Sequence, residues 1–507
     1  MKHKTLRFHI LVSSLTLAIA ALLIAILTHQ SIALHSDSCG YLRAARSGLF
    51  ADVPIWQPPL YPWLLLMLTT LQLPVFAAAK ILNAMCLAAT TLLLTFGLPH
   101  ITRTARYLTA ALFLCSYTVL YNHAWAMSEP LFFVFLFGAL VALFKHLSMA
   151  EENNTLLLIV GAGLSALALL TRFAGISLVP VFVVALLQEN WKRPIRLIRD
   201  WAIYGSITLA PLLALSLWNN TRSDSGLGHD LHINELTAHK LGQFRVTILE
   251  WFFPYRVFSI MPELAQWSLI VAIVAFLAVG TFLAIRRCRT TYPFAVLWGF
   301  STAYLAVVVA TILLSDQQVP LDYRLLSPLY IGLLALGVCI ADSLLRRLGL
   351  GLPVMILILL AVLYFAAFTA FRGVVFARST FSYGLGYGSK AWASSETLQY
   401  VRTHADSFTF FSNAPEAIEL LTGIDDIHWI PFKKDMMSRD TNPSYHAQIH
   451  ELHALASQQK AQVAIFWLKH RSDDDFPDYL PHTVELRQLA GLNIVHTFSD
   501  GVVLGIE

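Results

Sequence analysis

Long apolar segments separated by short polar loops constrain the fold of this chain more than any other feature. An apolar helix needs about 20 residues to cross about 30 Å of hydrocarbon. With 57% hydrophobic and 13% charged residues, the 507-residue chain is predicted to be a polytopic α-helical membrane protein, and a soluble enzyme is excluded. We place about eleven spans by this length criterion, near Ile10–Thr28, Val75–Leu98, Ala105–Tyr121, Ser128–Leu147, Thr155–Leu170, Phe173–Leu187, Trp201–Trp218, Trp267–Ile285, Pro293–Leu314, Leu325–Leu345 and Pro353–Phe371.

The basic residues predict how these spans are oriented. They recur in alternate loops, which the positive-inside rule places in the cytoplasm. We therefore expect a multi-pass protein of the cytoplasmic (inner) membrane, with a cytoplasmic N-terminus. The first long loop, the loop over 219–266 and the C-terminal domain then lie outside. The basic residues are Lys2, Lys4, Arg7, Arg103, Arg106, Lys145, Lys192, Arg193, Arg196, Arg199, Arg286, Arg287, Arg289, Arg346 and Arg347.

The first span, Ile10–Thr28, has two interpretations. Ser31-Ile32-Ala33 loosely resembles a signal-peptidase site, so cleavage is one of them. The apolar run is longer than the about 7–15 residues of a signal peptide, and we therefore expect a retained anchor.

The first outer loop, His35–Leu68, holds an acid, aromatics and cations between two apolar segments. Apolar residues at helical spacing predict a short amphipathic helix over Gly40–Phe50 that lies in the membrane interface. The Pro58-Pro59 pair then interrupts the chain, and Leu60–Leu68 is too short to span a bilayer. We expect this second piece to be interfacial or re-entrant.

From Arg372 onward, polar residues and turn signals alternate with short apolar runs. This pattern predicts a small soluble α/β domain over 372–507, after a membrane domain over 1–371 that includes the outer loop 30–74. We expect helices at Ser394–Arg402, Pro415–Leu421 and Pro443–Lys460, and strands at Phe408–Phe411, Val463–Trp467, Leu492–Phe498 and Val502–Ile506.

Acidic residues lie at the predicted outer ends of spans and in outer loops, at Asp37, Glu129, Asp316 and Asp322. A coupled transporter holds its acids near the membrane midplane, so this distribution favours a site at the outer face. From pattern alone, Asp37 is either a residue of such a site or the N-cap of the interfacial helix. Glu129 is equally well part of an ordinary helix start.

Three further residues on the predicted outer side are candidates for the functional site. Arg172 interrupts an apolar stretch, so it either snorkels at a span end or binds a phosphate. Tyr323 and Arg324 lie in the last short outer loop. Arg forms bidentate bonds to phosphate oxygens and stays charged, whereas the alternative is an interfacial anchor with Tyr in the aromatic belt.

Histidine and cysteine spacing gives no strong metal signal. His123, His229, His232 and His239 are expected to face outward in solvated loops, and His229 and His232 form only a weak zinc pattern. The 5 cysteines show no paired spacing, so neither a disulfide framework nor a zinc site is predicted. We predict no cofactor, and a divalent metal stays open as an alternative.

The first outer loop resembles that of the GT-C superfamily of membrane glycosyltransferases. The likeness is closest to the bacterial branch grouped with arabinose-to-lipid-A transferases and protein mannosyltransferases. Those enzymes carry an acid after the first span, a Tyr a few residues later and a Pro-Pro-Leu-Tyr element. Asp37, Tyr41 and Pro58-Pro59-Leu60-Tyr61 match this order. Two positions depart from it: many relatives have an acidic pair at Asp37-Ser38, and some have Lys in place of Gln57. The resemblance covers residues 6–371.

The resemblance implies a GT-C fold and a sugar donor carried on a polyprenyl phosphate. An acceptor hydroxyl or amine on an envelope lipid, glycan or protein would attack the anomeric carbon with inversion. Asp37 would be the general base, and Glu129 would orient the acceptor or a neighbouring base. Arg324 would stabilise the departing phosphate. The implied substrate-binding residues are Tyr41, Tyr61, Arg172, Tyr323 and Arg324.

Two other classes of protein stay open from the sequence. A transporter or flippase of lipid-linked saccharides would also have many spans, but it should show midplane polar residues or related halves, and we find neither. A membrane receptor could use the α/β domain to bind a ligand without catalysis. As partners we expect the sugar donor, the acceptor and membrane lipids, and no nucleic acid.

Overall fold

The computed structural model describes residues 2–47, 57–99, 101–149, 155–221, 236–287, 292–314, 319–347, 351–434, 441–468 and 479–506. The chain divides into two units. The first comprises Met1–Ile32 and Gly40–Phe381, and the second comprises Ala33–Cys39 and Ser382–Glu507. The first unit is built from helices, and the second combines helices with one sheet.

The helices of the first unit follow one another along the chain, with α2 beginning in the second unit. A 3-10 helix, Phe173–Ser177, lies between α8 and α9. The helices are α1 (Lys2–Leu27), α2 (Ser36–Ser47), α3 (Leu60–Thr70), α4 (Val75–Gly97), α5 (Arg103–Cys115), α6 (Tyr117–Ala124), α7 (Glu129–Ser148), α8 (Thr155–Thr171), α9 (Leu178–Asn190), α10 (Pro194–Asn220), α11 (Ala238–Glu250), α12 (Tyr255–Phe258), α13 (Glu263–Arg287), α14 (Tyr292–Leu314), α15 (Ser327–Arg347) and α16 (Leu352–Tyr383).

Nine helical segments in the described ranges are long and apolar enough to cross a membrane. They confirm the predicted polytopic helical architecture. Two of the predicted spans fall short of that length: α8 is a shorter apolar helix, and Ala105–Tyr121 is not continuous. The nine segments are α1, α4, Phe173–Asn190, α7, α10, α13, α14, α15 and α16.

The predicted span Ala105–Tyr121 is wrong because the chain breaks at Ser116 into α5 and α6. Ser116 has extended backbone angles, φ −72° and ψ 128°. At this break α16 passes so close to α5 that a Cβ on Gly373 would overlap the carbonyl group of Cys115. Only glycine allows so close an approach of two backbones.

Other helices have bounds that differ from the prediction. Helix α2, which the sequence predicts to be interfacial, begins at Ser36 and not at Gly40, so Asp37 lies inside its first turn and not at its cap. The backbone N–H of His35 donates to Ser38 Oγ across this end, at 3.1 Å. The helix predicted to end at Phe371 continues to Tyr383, and the region 219–266 contains α11 and α12.

Helix α7 is packed on several sides within the first unit. It contacts α4, α8, α9 and α14, and most of its side chains are buried. Phe132 and Phe133 in its first turns are fully enclosed. Because protein interiors are close-packed, the beginning of α7 is held in one position. Glu129 lies at this end.

The second unit contains a five-stranded sheet with the strand order β2-β1-β3-β5-β4. Its strands are β1 (Thr409–Ser412), β2 (Ile427–Trp429), β3 (Ala461–Phe466), β4 (Asn493–Phe498) and β5 (Gly501–Gly505). Its helices are α17 (Lys390–Ala393), α18 (Glu396–His404), α19 (Pro415–Thr422), α20 (Tyr445–Ser457) and α21 (Thr483–Leu489).

Strand direction in this sheet changes partway across. β1 pairs in parallel with β2 and β3, whereas β5 pairs antiparallel with β3 and β4. Two of the three inner strands, β3 and β5, are buried throughout, which fits sequences that are apolar except for Gln462. The predicted α/β character is confirmed, but the sequence does not predict β2, α17 or α21.

Candidate active site

Glu129 is the first residue of α7, with Ser128 at the N-cap position and Pro130 in the first turn. Its side chain is only 3% exposed, yet it carries a carboxylate. Oε1 lies 2.6 Å from Nη1 of Arg172 and 3.2 Å from Nε of Arg324. Two guanidinium groups therefore share one carboxylate oxygen. One negative and two positive charges leave this cluster with a net positive charge.

The two arginines reach Glu129 from turns at the ends of other helices. Arg172 has an extended backbone between α8 and the 3-10 helix. Arg324 lies in the turn before α15, where the carboxylate of Asp322 accepts the backbone N–H groups of Arg324 and Leu325 at 2.9 and 3.1 Å. The hydroxyl group of Tyr304 donates to the carbonyl oxygen of Leu325 at 2.7 Å. The turn that carries Arg324 is thus fixed from both sides.

Tyr41 connects α2 to the same cluster. Its hydroxyl group is 3.0 Å from Ser128 Oγ, and Arg172 Nη1 donates to that oxygen at 3.4 Å. The ring of Tyr41 meets the ring of Tyr61 edge-on, with centroids 5.2 Å apart. The predicted residues Tyr41, Tyr61, Glu129, Arg172 and Arg324 are therefore brought together in the first unit.

Two polar atoms at this cluster are enclosed and unpaired. Oε2 of Glu129 and the hydroxyl oxygen of Tyr61 have no hydrogen-bond partner within the described ranges. An enclosed polar atom without a partner costs about 1–3 kcal/mol. Such atoms call for an explanation, and the binding of a polar ligand is one that fits a site of this charge.

Tyr323 belongs to a second cluster, although it neighbours Arg324 in the chain. Its ring meets Tyr117 edge-on at 4.9 Å, and its hydroxyl group accepts from Arg372 Nη2 at 3.4 Å. The guanidinium of Arg372 lies over the Tyr117 ring, 4.7 Å from its centroid, and 3.6 Å from the carboxylate of Glu250. Burial raises the pKa of Glu250, and the charge of Arg372 opposes that shift.

Sequence reasoning missed Arg372 and Glu250 as members of a partly buried cluster. The sequence predicts that the soluble domain starts at Arg372, but this residue lies inside the continuous helix α16. The available signal was an arginine within a long apolar run, because a charged side chain is costly in hydrocarbon unless it is paired.

Other predicted residues lie elsewhere. Asp37 is part of the second unit, in the first turn of α2. Asp322 caps the turn of Arg324 as described. Asp316, His229 and His232 lie outside the described residues.

The expectation that His123 is a solvated loop histidine is wrong. It is fully buried in α6, and its Nδ1 lies 2.8 Å from the carbonyl oxygen of Val119. The reason is that α6 packs against α1, α4, α5, α7 and α15. Among the residues with assigned positions, no group of three or more His, Cys, Asp or Glu side chains is placed to hold a metal ion.

Comparison with known proteins gives a match in structure. No protein-family model matches the sequence, and no curated protein matches it either. ArnT from Cupriavidus metallidurans bound to undecaprenyl phosphate matches with a TM-score of 0.55 at 12% identity, over 97% of both chains. The apo state of ArnT matches with a TM-score of 0.51 at 13% identity, again over 97% of both chains.

A third match is the arabinofuranosyltransferase AftD from Mycobacteria. It has a TM-score of 0.50 at 13% identity and covers 97% of this chain but 40% of the AftD chain. At such identities the likeness establishes the fold. The chain therefore has the fold of polytopic GT-C membrane proteins, as the resemblance in its sequence predicts.

Proposed function

We propose that this protein is a GT-C glycosyltransferase. It moves a sugar from a polyprenyl-phosphate donor to an envelope lipid, glycan or protein acceptor, at the outer face of the cytoplasmic membrane. The observation that carries the proposal is the enclosed Glu129 carboxylate between Arg172 and Arg324, on a fold that ArnT shares along 97% of its chain. The N-terminus is then cytoplasmic and the second unit extracytoplasmic, in line with the alternating basic loops.

The charge of the cluster suits a phosphate. A guanidinium has five N–H donors, and one carboxylate oxygen uses few of them. The side chains of Arg172 and Arg324 are each 20% exposed, so part of each group is open to a ligand. Negative charge grows on the departing phosphate during sugar transfer, and fixed cations stabilise it most in the transition state. Undecaprenyl phosphate is bound in the ArnT structure with this fold.

An apolar groove of about 700 Å³ supports a lipid-linked donor. It runs between α9 and α14, and the α14 side is lined by small residues that leave room for a hydrocarbon chain. The same helix carries Tyr304, which is hydrogen-bonded beside Arg324. The α14 residues lining the groove include Ala295, Gly299, Ala303, Ala306 and Ala310.

Asp37 is the proposed general base. It precedes Tyr41 by one helical turn in α2, and Tyr41 is hydrogen-bonded at the cluster. The carboxylate accepts the proton of the acceptor hydroxyl or amine while that atom bonds to the anomeric carbon. The bond between the anomeric carbon and the phosphate oxygen breaks on the opposite face, which inverts the configuration. Polyprenyl phosphate leaves with the electron pair.

Glu129 is proposed to position the arginines and the acceptor. Its Oε1 lies within ion-pair distance of both Arg172 and Arg324, so the carboxylate is placed to hold these two side chains. This separates its role from that of Asp37.

The experiment that tests the function compares cells with and without the protein. Mass spectrometry of envelope glycolipids and glycoproteins should show one saccharide-bearing species lost when the gene is deleted. Purified protein should then form that species from a polyprenyl-phosphate sugar and the unmodified acceptor. Movement of a lipid-linked saccharide across vesicles without transfer would instead identify a flippase and overturn the proposal.

A further inference from the structure

The second unit holds a groove of about 510 Å³ on its own surface. It lies between one face of the sheet at β1 and β2 and the helix α20. β2 is an edge strand, and α20 packs against β3 further into the sheet. The sheet face at the edge is therefore left open beside the helix. The volume of the groove falls within the range of about 300–1,000 Å³ that is typical of small-ligand sites.

Aromatic rings line the sheet side of this groove. Phe411 and His428 are paired in the register of β1 and β2, and their ring centroids are 5.3 Å apart. At the end of β2, Trp429 and Phe432 pack at 5.4 Å. Aromatic faces carry a negative quadrupole, so they attract the slightly positive C–H groups on one face of a sugar ring.

Hydrogen-bond acceptors line another part of the groove. Asp426 precedes β2 and is held by the hydroxyl group of Thr409 at 2.9 Å and by His428 Nε2 at 3.1 Å. Gln448 and Glu451 lie on the exposed face of α20. Carboxylates accept hydrogen bonds, and an amide both donates and accepts, which matches the hydroxyl groups of a sugar.

The charge of the groove further restricts the class of ligand that it can bind. The residues that the structure assigns to its lining include Asp426 and Glu451 but neither Lys nor Arg. An anion such as a phosphate or a uronic acid would meet two carboxylates and neither Lys nor Arg among these residues, which is unfavourable. A neutral or amine-bearing ligand meets no such penalty.

We propose that this groove binds a saccharide with neutral or amine-bearing sugar rings. The rings stack on Trp429 and its aromatic neighbours while Asp426, Gln448 and Glu451 bind their hydroxyl or amine groups. The inference rests on the groove and its lining alone, and it does not depend on sugar transfer by the first unit.

The test uses the full-length protein in nanodiscs on a microarray of defined saccharides. The array carries neutral hexose oligosaccharides, amino-sugar oligosaccharides and oligosaccharides bearing uronic acid or phosphate. Binding is expected to the first two groups only. The Kd for the strongest of them, measured by calorimetry, should rise at least about tenfold in Trp429→Ala, as for a central aromatic contact. Trp429→Phe keeps an aromatic face and should retain most of the affinity.

Phe498→Ala is the matched control, since Phe498 lies on β4 at the opposite edge of the sheet and outside the groove. It should bind like wild type. The proposal is overturned if no neutral or amine-bearing saccharide binds, if acidic saccharides bind as well, or if Trp429→Ala and Phe498→Ala have the same effect. Because only binding is measured, loss of transferase activity does not affect the outcome.

Discussion

Arg172 donates to the carboxylate of Glu129 at 2.6 Å, and this bond joins the start of α7 to the turn after α8. Arg324 approaches the same oxygen from the turn before α15. Three separate elements are thereby held around one enclosed carboxylate. Removing one partner of an enclosed ion pair leaves an uncompensated charge, so the cluster behaves as a unit.

Glu129→Gln should lower kcat by an intermediate amount, about tenfold, while donor binding is kept. The amide keeps the size of the side chain but removes the charge that orders the two arginines, and a bound phosphate can then act as their counter-ion. Steady-state kinetics with separate kcat and KM values measure this.

The matched control for that variant is Glu189→Gln. Glu189 is also enclosed, and its carboxylate lies 3.5 Å from Arg196. It is near the C-terminal end of α9 and is not part of the Glu129 cluster. It should affect stability and leave kcat near wild type. A kcat for Glu129→Gln as low as that of Asp37→Asn would contradict the positioning role.

Arg324→Ala should weaken donor binding far more than Arg43→Ala does. A lost charge-assisted hydrogen bond is worth about 1.5–3 kcal/mol, or roughly ten- to a hundredfold in affinity. Arg43 is exposed on α2, so its removal should leave the affinity close to wild type. Direct binding of a polyprenyl-phosphate sugar to the purified proteins measures both, and equal affinities in wild type and Arg324→Ala would remove the assignment.

The sequence alone predicts one part of this site and misses another. The pattern Ser128-Glu129-Pro130 predicts the beginning of α7, and the structure begins it there. The sequence does not predict that Arg172 and Arg324 share the carboxylate of Glu129. Contacts between distant parts of a chain depend on how helices pack, which periodicity does not encode.

The fold shows the same limit. Long apolar runs predict the span-length helices, because length and composition decide them. At the break at Ser116, α16 approaches α5 through Gly373, and periodicity does not encode such a contact between remote segments. β2 was missed because three residues, Ile427–Trp429, are too few for an alternating pattern.

Gly373→Ala should destabilise the protein, while Gly337→Ala should not. A Cβ at residue 373 would overlap the backbone of Cys115, whereas at residue 337, in α15, it meets no atom within 4 Å. Forcing extra volume into a packed contact costs about 1–3 kcal/mol. Thermal unfolding of both variants in the same detergent measures the difference, and equal melting temperatures would contradict the close approach of α16.

The stability of the protein should fall in acid, in part because Glu485 becomes protonated. Burial raises the pKa of Glu485, but hydrogen bonds from Lys433 at 2.9 Å and Tyr445 at 3.0 Å outweigh it and lower the pKa. The unfolded chain then binds the proton more readily. The stabilisation is present above the unfolded pKa of about 4.3 and is lost as the pH falls through the lower folded value.

The measurement for this pair is the difference in melting temperature between wild type and Glu485→Gln. It should be positive at pH 7, reflecting about 1 kcal/mol or less for a partly exposed pair, and should shrink as the pH falls below 4. Lys433→Met serves as the control, since it should show the same pH dependence. A difference that is independent of pH would contradict the account.

The central claim is tested most directly by sugar transfer from a polyprenyl-phosphate donor by purified, folded Asp37→Asn protein. The amide keeps the size of the side chain in the first turn of α2 but does not accept a proton from the acceptor. Turnover should fall by about 10²–10⁴-fold, with donor binding and melting temperature nearly unchanged. If Asp37 only stabilises the helix end, the substitution costs about 0.3–1 kcal/mol of stability and turnover stays near wild type. That second result would contradict both the role of Asp37 and the proposed transferase mechanism.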